Sequence, residues 1–99
     1  MSCLTWNCSG IGNLRTGREL IKIIRAKDPP VVFLVETLTD EARLEVVQRS
    51  IDFDHRWVVP RVGRNGGLVL YWKSSINLKV EGSSKNYINA IIDKNTEIE

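Results

Sequence analysis

The run Val31-Val32-Phe33-Leu34-Val35 constrains this chain more than any other feature. Pro29 and Pro30 stand directly before it, and a carboxylate, Glu36, directly after it. Five apolar residues rich in β-branched side chains, with no polar alternation, read as a short strand buried on both faces. Such a strand belongs inside a layered structure in which other elements cover it above and below. A chain of 99 residues has room for one such domain at most. With 42% hydrophobic and 26% charged residues it has the means to build a core, which excludes the disordered and collagen-like classes.

The flanking sequence supplies partners for that strand. Residues Ser2 to Asn7 read as a strand in which Leu4 and Trp6 alternate with Cys3 and Thr5. A glycine-containing loop follows, and Thr16 with Glu19 has the spacing of a capping box. The predicted helix carries Leu20, Ile21 and Ile24 on one stripe and Arg18, Lys22 and Arg25 mostly on the other. Asp28-Pro29-Pro30 ends it, since proline lacks an amide donor and restricts its predecessor. After the apolar run, Thr39 is expected to cap a second helix with Asp40 and Glu41 in its first turn. Leu44, Val47 and Ile51 form its apolar stripe.

Beyond this helix the pattern turns to strands. Arg56 to Val62 reads as a strand broken by Pro60, Asn65-Gly66 as a hairpin turn, and Gly67 to Trp72 as the returning strand. Asn77 to Glu81 and Tyr87 to Asp93 follow, separated by Gly82-Ser83-Ser84. The order β-α-β-α and then a meander predicts an α/β fold, one mixed sheet with two helices on one face. That is half of a four-layer αββα sandwich. The second face has no evident cover within the chain, so self-association through it is expected.

Several classes are excluded or disfavoured. No segment approaches the ~20 apolar residues of a membrane span. No basic stretch followed by an apolar one opens the sequence, so a secretory signal is not expected. Cys3 and Cys8 are the only cysteines and do not form a Cys-x-x-Cys pair. They suit a reducing, intracellular compartment. The formal net charge of +2 is compatible with a phosphate-bearing partner.

Two polar residues stand where chemistry is expected. Asn7 closes the first strand and Glu36 the second. Parallel neighbours joined by a helix place such ends side by side, at the edge where open α/β sheets bind ligands. A carboxylate beside a carboxamide is the start of a Mg²⁺ (or Mn²⁺) site, because such an ion takes few protein oxygens and keeps several waters. It would polarise a phosphate and acidify a bound water.

Three motifs in order carry a family resemblance over nearly the whole chain. Thr5-Trp6-Asn7 with its glycine loop resembles the opening motif of the endonuclease/exonuclease/phosphatase superfamily. Val32-Phe33-Leu34-Val35-Glu36-Thr37 resembles the second motif, whose glutamate binds the metal, and Gly66-Gly67-Leu68-Val69-Leu70-Tyr71-Trp72-Lys73 the Gly-Gly strand that follows. The wording is most similar to endonuclease regions of plant LINE-type (non-LTR) retroelements. The resemblance implies that Glu36 is the metal ligand, that Asn7 helps hold the metal and the scissile phosphate, and that nucleic acid is the partner. It also implies that an Asp-x-Asn pair and a later aspartate and histidine would lie beyond Glu99, so the chain is expected to be a truncated domain, inactive alone. Ser9 stands where many relatives carry an acidic residue, and Asn86, Tyr87 and Asn89 fall in a segment that often holds histidine and aspartate.

Other readings compete. Gly10-Ile11-Gly12 between a strand and a helix imitates a dinucleotide-binding loop, but Arg15 replaces the third glycine, so no NAD binding is expected. A non-catalytic interaction remnant is the third class. His55, the only histidine, is expected to be a surface or packing residue. Arg56, Arg61, Arg64, Lys73 and Lys79 form either a phosphate-tracking stripe or a solvated charged edge. Trp6, Trp57 and Trp72 are expected in the core rather than stacked on bases.

Overall fold

A computed structural model describes residues 3–8, 14–63 and 66–92, with the side chains of Leu14 and Arg15 outside the description. The elements run β1 (Cys3–Asn7), α1 (Leu14–Lys27), β2 (Val31–Val35), α2 (Glu41–Ile51), β3 (His55–Val59), β4 (Leu68–Trp72), β5 (Leu78–Ser84) and β6 (Tyr87–Ile92). Four strands form a mixed sheet in the order β1-β2-β4-β3. The β1–β2 pair is parallel, and the β2–β4 and β3–β4 pairs are antiparallel. The α/β class and the mixed sheet are as expected. The last two strands do not extend that sheet and instead form a two-stranded sheet of their own.

The apolar run becomes β2, an interior strand between β1 and β4. Alternation along it separates two faces. On one, the register aligns Leu4, Val32, Tyr71 and Arg56 in one row and Trp6, Leu34, Val69 and Val58 in the next. Val32, Leu34, Val69 and Tyr71 pack there with Leu20 and Ile24 of α1 and Leu44, Val47 and Ile51 of α2 in one cluster. Both helices therefore cover this face. Tyr71 is completely buried, and its hydroxyl donates to the Leu44 carbonyl at 2.7 Å, so its polar tip is satisfied. Phe53 meets its ring edge-on at 6.3 Å.

The opposite face was expected to lack cover, and here the chain corrects the expectation. Leu78, Ile88, Ala90 and Ile92 of the β5–β6 hairpin look across at Val31, Phe33 and Leu70, around an open cleft of about 200 Å³. The Trp57 indole donates to Ser83 Oγ at 3.2 Å and ties β3 to β5. The physical reason is the hairpin's own alternation. Both strands expose every second residue and half-bury the others, so each has one face that needs a partner sheet.

Several boundaries move for identifiable reasons. Helix α1 starts at Leu14, so Thr16 lies in its first turn and is not its cap. Gly17 is buried and extends the stripe of Leu20 and Ile24 by one turn. Asp40, not Thr39, caps α2; its backbone is extended and its carboxylate accepts the Arg43 amide at 3.1 Å. A charged acceptor is favoured at that end of the helix dipole. Strand β3 stops at Val59 because Pro60 has no amide for the ladder. Asn65 of the expected hairpin turn lies outside the described residues. Strand β5 continues through Gly82-Ser83-Ser84, a register shift between Val80 and Gly82 leaving Glu81 as the extra residue while Gly82 pairs with Asn89. The turn falls instead at Lys85 and Asn86, where Ser84 Oγ accepts the Asn86 amide at 3.2 Å.

Candidate active site

The site is built at the carboxyl ends of the parallel pair. Asn7 lies in register with Val35, and the Cys8 amide continues the contact by donating to the Val35 carbonyl at 2.9 Å. Glu36 follows at once. Its φ is +53°, and Leu38, two residues on, has the same value. Left-handed backbone at two non-glycine residues costs on the order of 1–3 kcal/mol each, so the surroundings must hold them there. Gly66 and Gly67 do so. The Thr37 amide donates to the Gly67 carbonyl and the Leu38 amide to the Gly66 carbonyl, both at 3.1 Å. Gly67 has φ +92°, and a Cβ there would collide with the Thr37 hydroxyl. The Gly-Gly pair thus lets the 36–38 segment lie against the start of β4 and fixes where Glu36 emerges.

Glu36 emerges into a half-open groove of about 430 Å³, lined by Pro60, Val62, Gly66, Gly67, Lys85 and Asn86. This size falls within the usual range for ligand sites, roughly 300–1,000 Å³. The walls come from two sheets: Glu36, Pro60, Val62, Gly66 and Gly67 from the first, the Lys85–Asn86 turn from the second. Asn7 sits at the same edge but, among the described residues, is not part of the lining. Sequence reasoning missed Lys85, because it placed the turn one step too early, at residues 82–84. The available signal was the lysine directly before Asn86 in a segment already singled out by resemblance.

The donor set suits a hard cation as far as it goes. Glu36 offers a carboxylate at the groove, and Asn7 a carboxamide on the neighbouring strand end. Among the described residues, no three His, Cys, Asp or Glu side chains come together to complete a metal centre. Cys8 is buried, and burial pushes its thiol up to about 11, which keeps it protonated at neutral pH. Cys3 is exposed, and both cysteines are free.

The other residues singled out from the sequence fall elsewhere. His55 opens β3 and stacks on Trp72 at 5.3 Å, a packing role. The supposed basic stripe divides. Arg56 lies on the helix face, where it donates to Gln48 at 2.7 Å and pairs with Glu41 and Glu45. Lys73 pairs with Asp28 and lies over the Phe53 ring, and Arg61 donates to the Leu38 carbonyl at 3.2 Å. Arg64 lies outside the described residues. The tryptophans are less buried than expected, Trp6 being 38% and Trp57 42% exposed. Each stands on an outer strand of the four-stranded sheet, which among the described residues has no neighbour on its far side. The glycine loop at residues 10–12 also lies outside the described residues. Its dinucleotide-binding reading meets a sheet in which β4 runs antiparallel to β2, not a further parallel strand.

A mixed α/β sheet with a carboxylate-bearing groove at the carboxyl edge of its parallel pair is a frame suited to ligand binding. The sequence profile of the endonuclease/exonuclease/phosphatase family matches residues 4–98. The chain belongs to that family. Comparison with curated proteins gives no match. No helix among the described residues is long and apolar enough to cross a membrane.

Proposed function

We propose that this chain is the N-terminal part of a metal-dependent phosphodiesterase domain of nuclease type, with Glu36 as the cation-holding carboxylate and Asn7 as its neighbour. The observation that carries the reading is the Glu36 carboxylate, presented by strained backbone into a groove whose other charged residue, among the described lining, is Lys85. The opening motif Thr5-Trp6-Asn7-Cys8 favours a LINE-type retroelement endonuclease of plants as the source of the domain, with nucleic acid as substrate. When bound, Mg²⁺ or Mn²⁺ would polarise a phosphate oxygen and acidify a water. The chain's own part is to present Glu36 and to shape the groove against β4.

Two protein oxygens hold such an ion weakly, since Mg²⁺ demands an octahedron. By the resemblance, the acid–base groups stand further along such a domain, and catalytic groups that act as a unit fail together. The expected outcome is weak Mg²⁺ binding by calorimetry that disappears in Glu36→Gln, and no nicking of supercoiled plasmid by the isolated chain. Unchanged Mg²⁺ binding in Glu36→Gln sinks the cation assignment. Mg²⁺-dependent nicking that is lost in Glu36→Ala sinks the inactivity.

A further inference from the structure

We propose that Lys85 is the anion-holding residue of the groove, gripping a backbone phosphate of a nucleic-acid strand laid between it and Glu36. This rests on the nuclease reading and adds a residue to it. Glu36 and Lys85 are the two charged side chains of the described lining, and they come from different sheets. Both side chains are exposed, and among the described residues neither is drawn into an ion pair with the other. Lys73, Arg56 and Arg61 already have partners within the fold. Among the described lining residues, Lys85 is the basic side chain available to an incoming anion.

The turn that carries it is held from below. Ser84 Oγ accepts the Asn86 amide within the turn, and the Trp57–Ser83 hydrogen bond holds β5 against the central sheet. A lysine ammonium is a compact charge with three donors, suited to non-bridging phosphate oxygens. The Asn86 carboxamide beside it adds a neutral donor and acceptor. Gly66 and Gly67 carry no side chain into the groove. Without a cation, the Glu36 carboxylate opposes the same phosphate.

The test is binding of a short fluorescent DNA duplex to the full chain in EDTA, across a series of salt concentrations. Lys85→Met keeps the stem and removes the charge. It is expected to weaken binding several-fold and to flatten the slope of log K against log salt by about 0.9, the signature of one lost phosphate contact. Lys85→Arg is expected to stay within about twofold of the parent. Glu36→Gln is expected to bind more tightly in EDTA, because a repulsion is removed. Lys79→Met, an exposed lysine of β5 outside the groove lining, is the control and should change little. Equal melting temperatures for the two Lys85 variants and the parent exclude a folding effect. The proposal is overturned if Lys85→Met matches the parent in affinity and slope, if Lys79→Met weakens binding equally, or if the parent binds no DNA. None of these outcomes touches the cation assignment, which the Mg²⁺ calorimetry tests separately.

Discussion

On the helix side of the central sheet, Val32, Leu34, Val69 and Tyr71 are sealed from solvent by two helices. On the hairpin side, Phe33 and Trp72 stay partly exposed, and an open cleft of about 200 Å³ remains between the sheets. The same four strands build both faces. The difference lies in the cover, since each helix offers a wide apolar stripe, whereas β5 and β6 offer alternate residues interrupted by Gly82 and two serines. The looser side is also the one whose hairpin turn, Lys85–Asn86, forms a wall of the groove. The side chains with no exposure lie on the helix side, whereas the hairpin side mixes buried Val31, Leu68 and Leu70 with partly exposed Phe33 and Trp72.

The largest expected effect tests that contrast directly. Leu34→Ala, on the sealed face, should cost about 3–5 kcal/mol in urea denaturation, through lost burial and a cavity that cannot collapse. Ile88→Ala, on the half-buried hairpin face, should cost about 1–2 kcal/mol, since less area leaves the interior. Equal losses would erase the distinction between the faces. The next effect concerns the groove wall. Gly67→Ala must combine left-handed strain with a collision against Thr37, an expected loss of about 2–4 kcal/mol. Gly63→Ala has strain but open space around it and should lose about 1 kcal/mol. A Gly67→Ala chain as stable as Gly63→Ala would mean that the 36–38 segment is not pinned on the Gly-Gly pair.

The smallest effect concerns the thiols. Exposed Cys3 should react with a disulfide reagent in the folded protein, while buried Cys8 should react only on unfolding. The sign with pH follows from a folded-state value raised to about 11 against the ordinary 9.0. The contribution of the protonated thiol is complete below pH 9.0 and falls as pH rises toward 11, because unfolding then releases a proton. Cys8→Ala should flatten alkaline stability in that window, and Cys3→Ala should not.

Local chemistry made much of this protein legible in its sequence. A five-residue apolar run between prolines and a carboxylate can be little other than a buried strand, and β2 is that strand from Val31 to Val35. Helical periodicity gave α2 its buried Leu44, Val47 and Ile51, and the strand-end positions of Asn7 and Glu36 followed from the order of elements alone. The three family motifs led to the family that the profile match establishes over residues 4–98. Tertiary structure decided the rest. Strand alternation says that β5 and β6 each have a face to bury, but not against which surface, so only packing shows that they turn back over Phe33 and Leu70. A charge in the sequence does not name its partner, so only the fold reveals that Arg56 is bound up with α2 while Lys85 faces the groove. Contacts such as Trp57 to Ser83, twenty-six residues apart, arise between elements that sequence pattern treats separately, and it is those long-range contacts that form the groove.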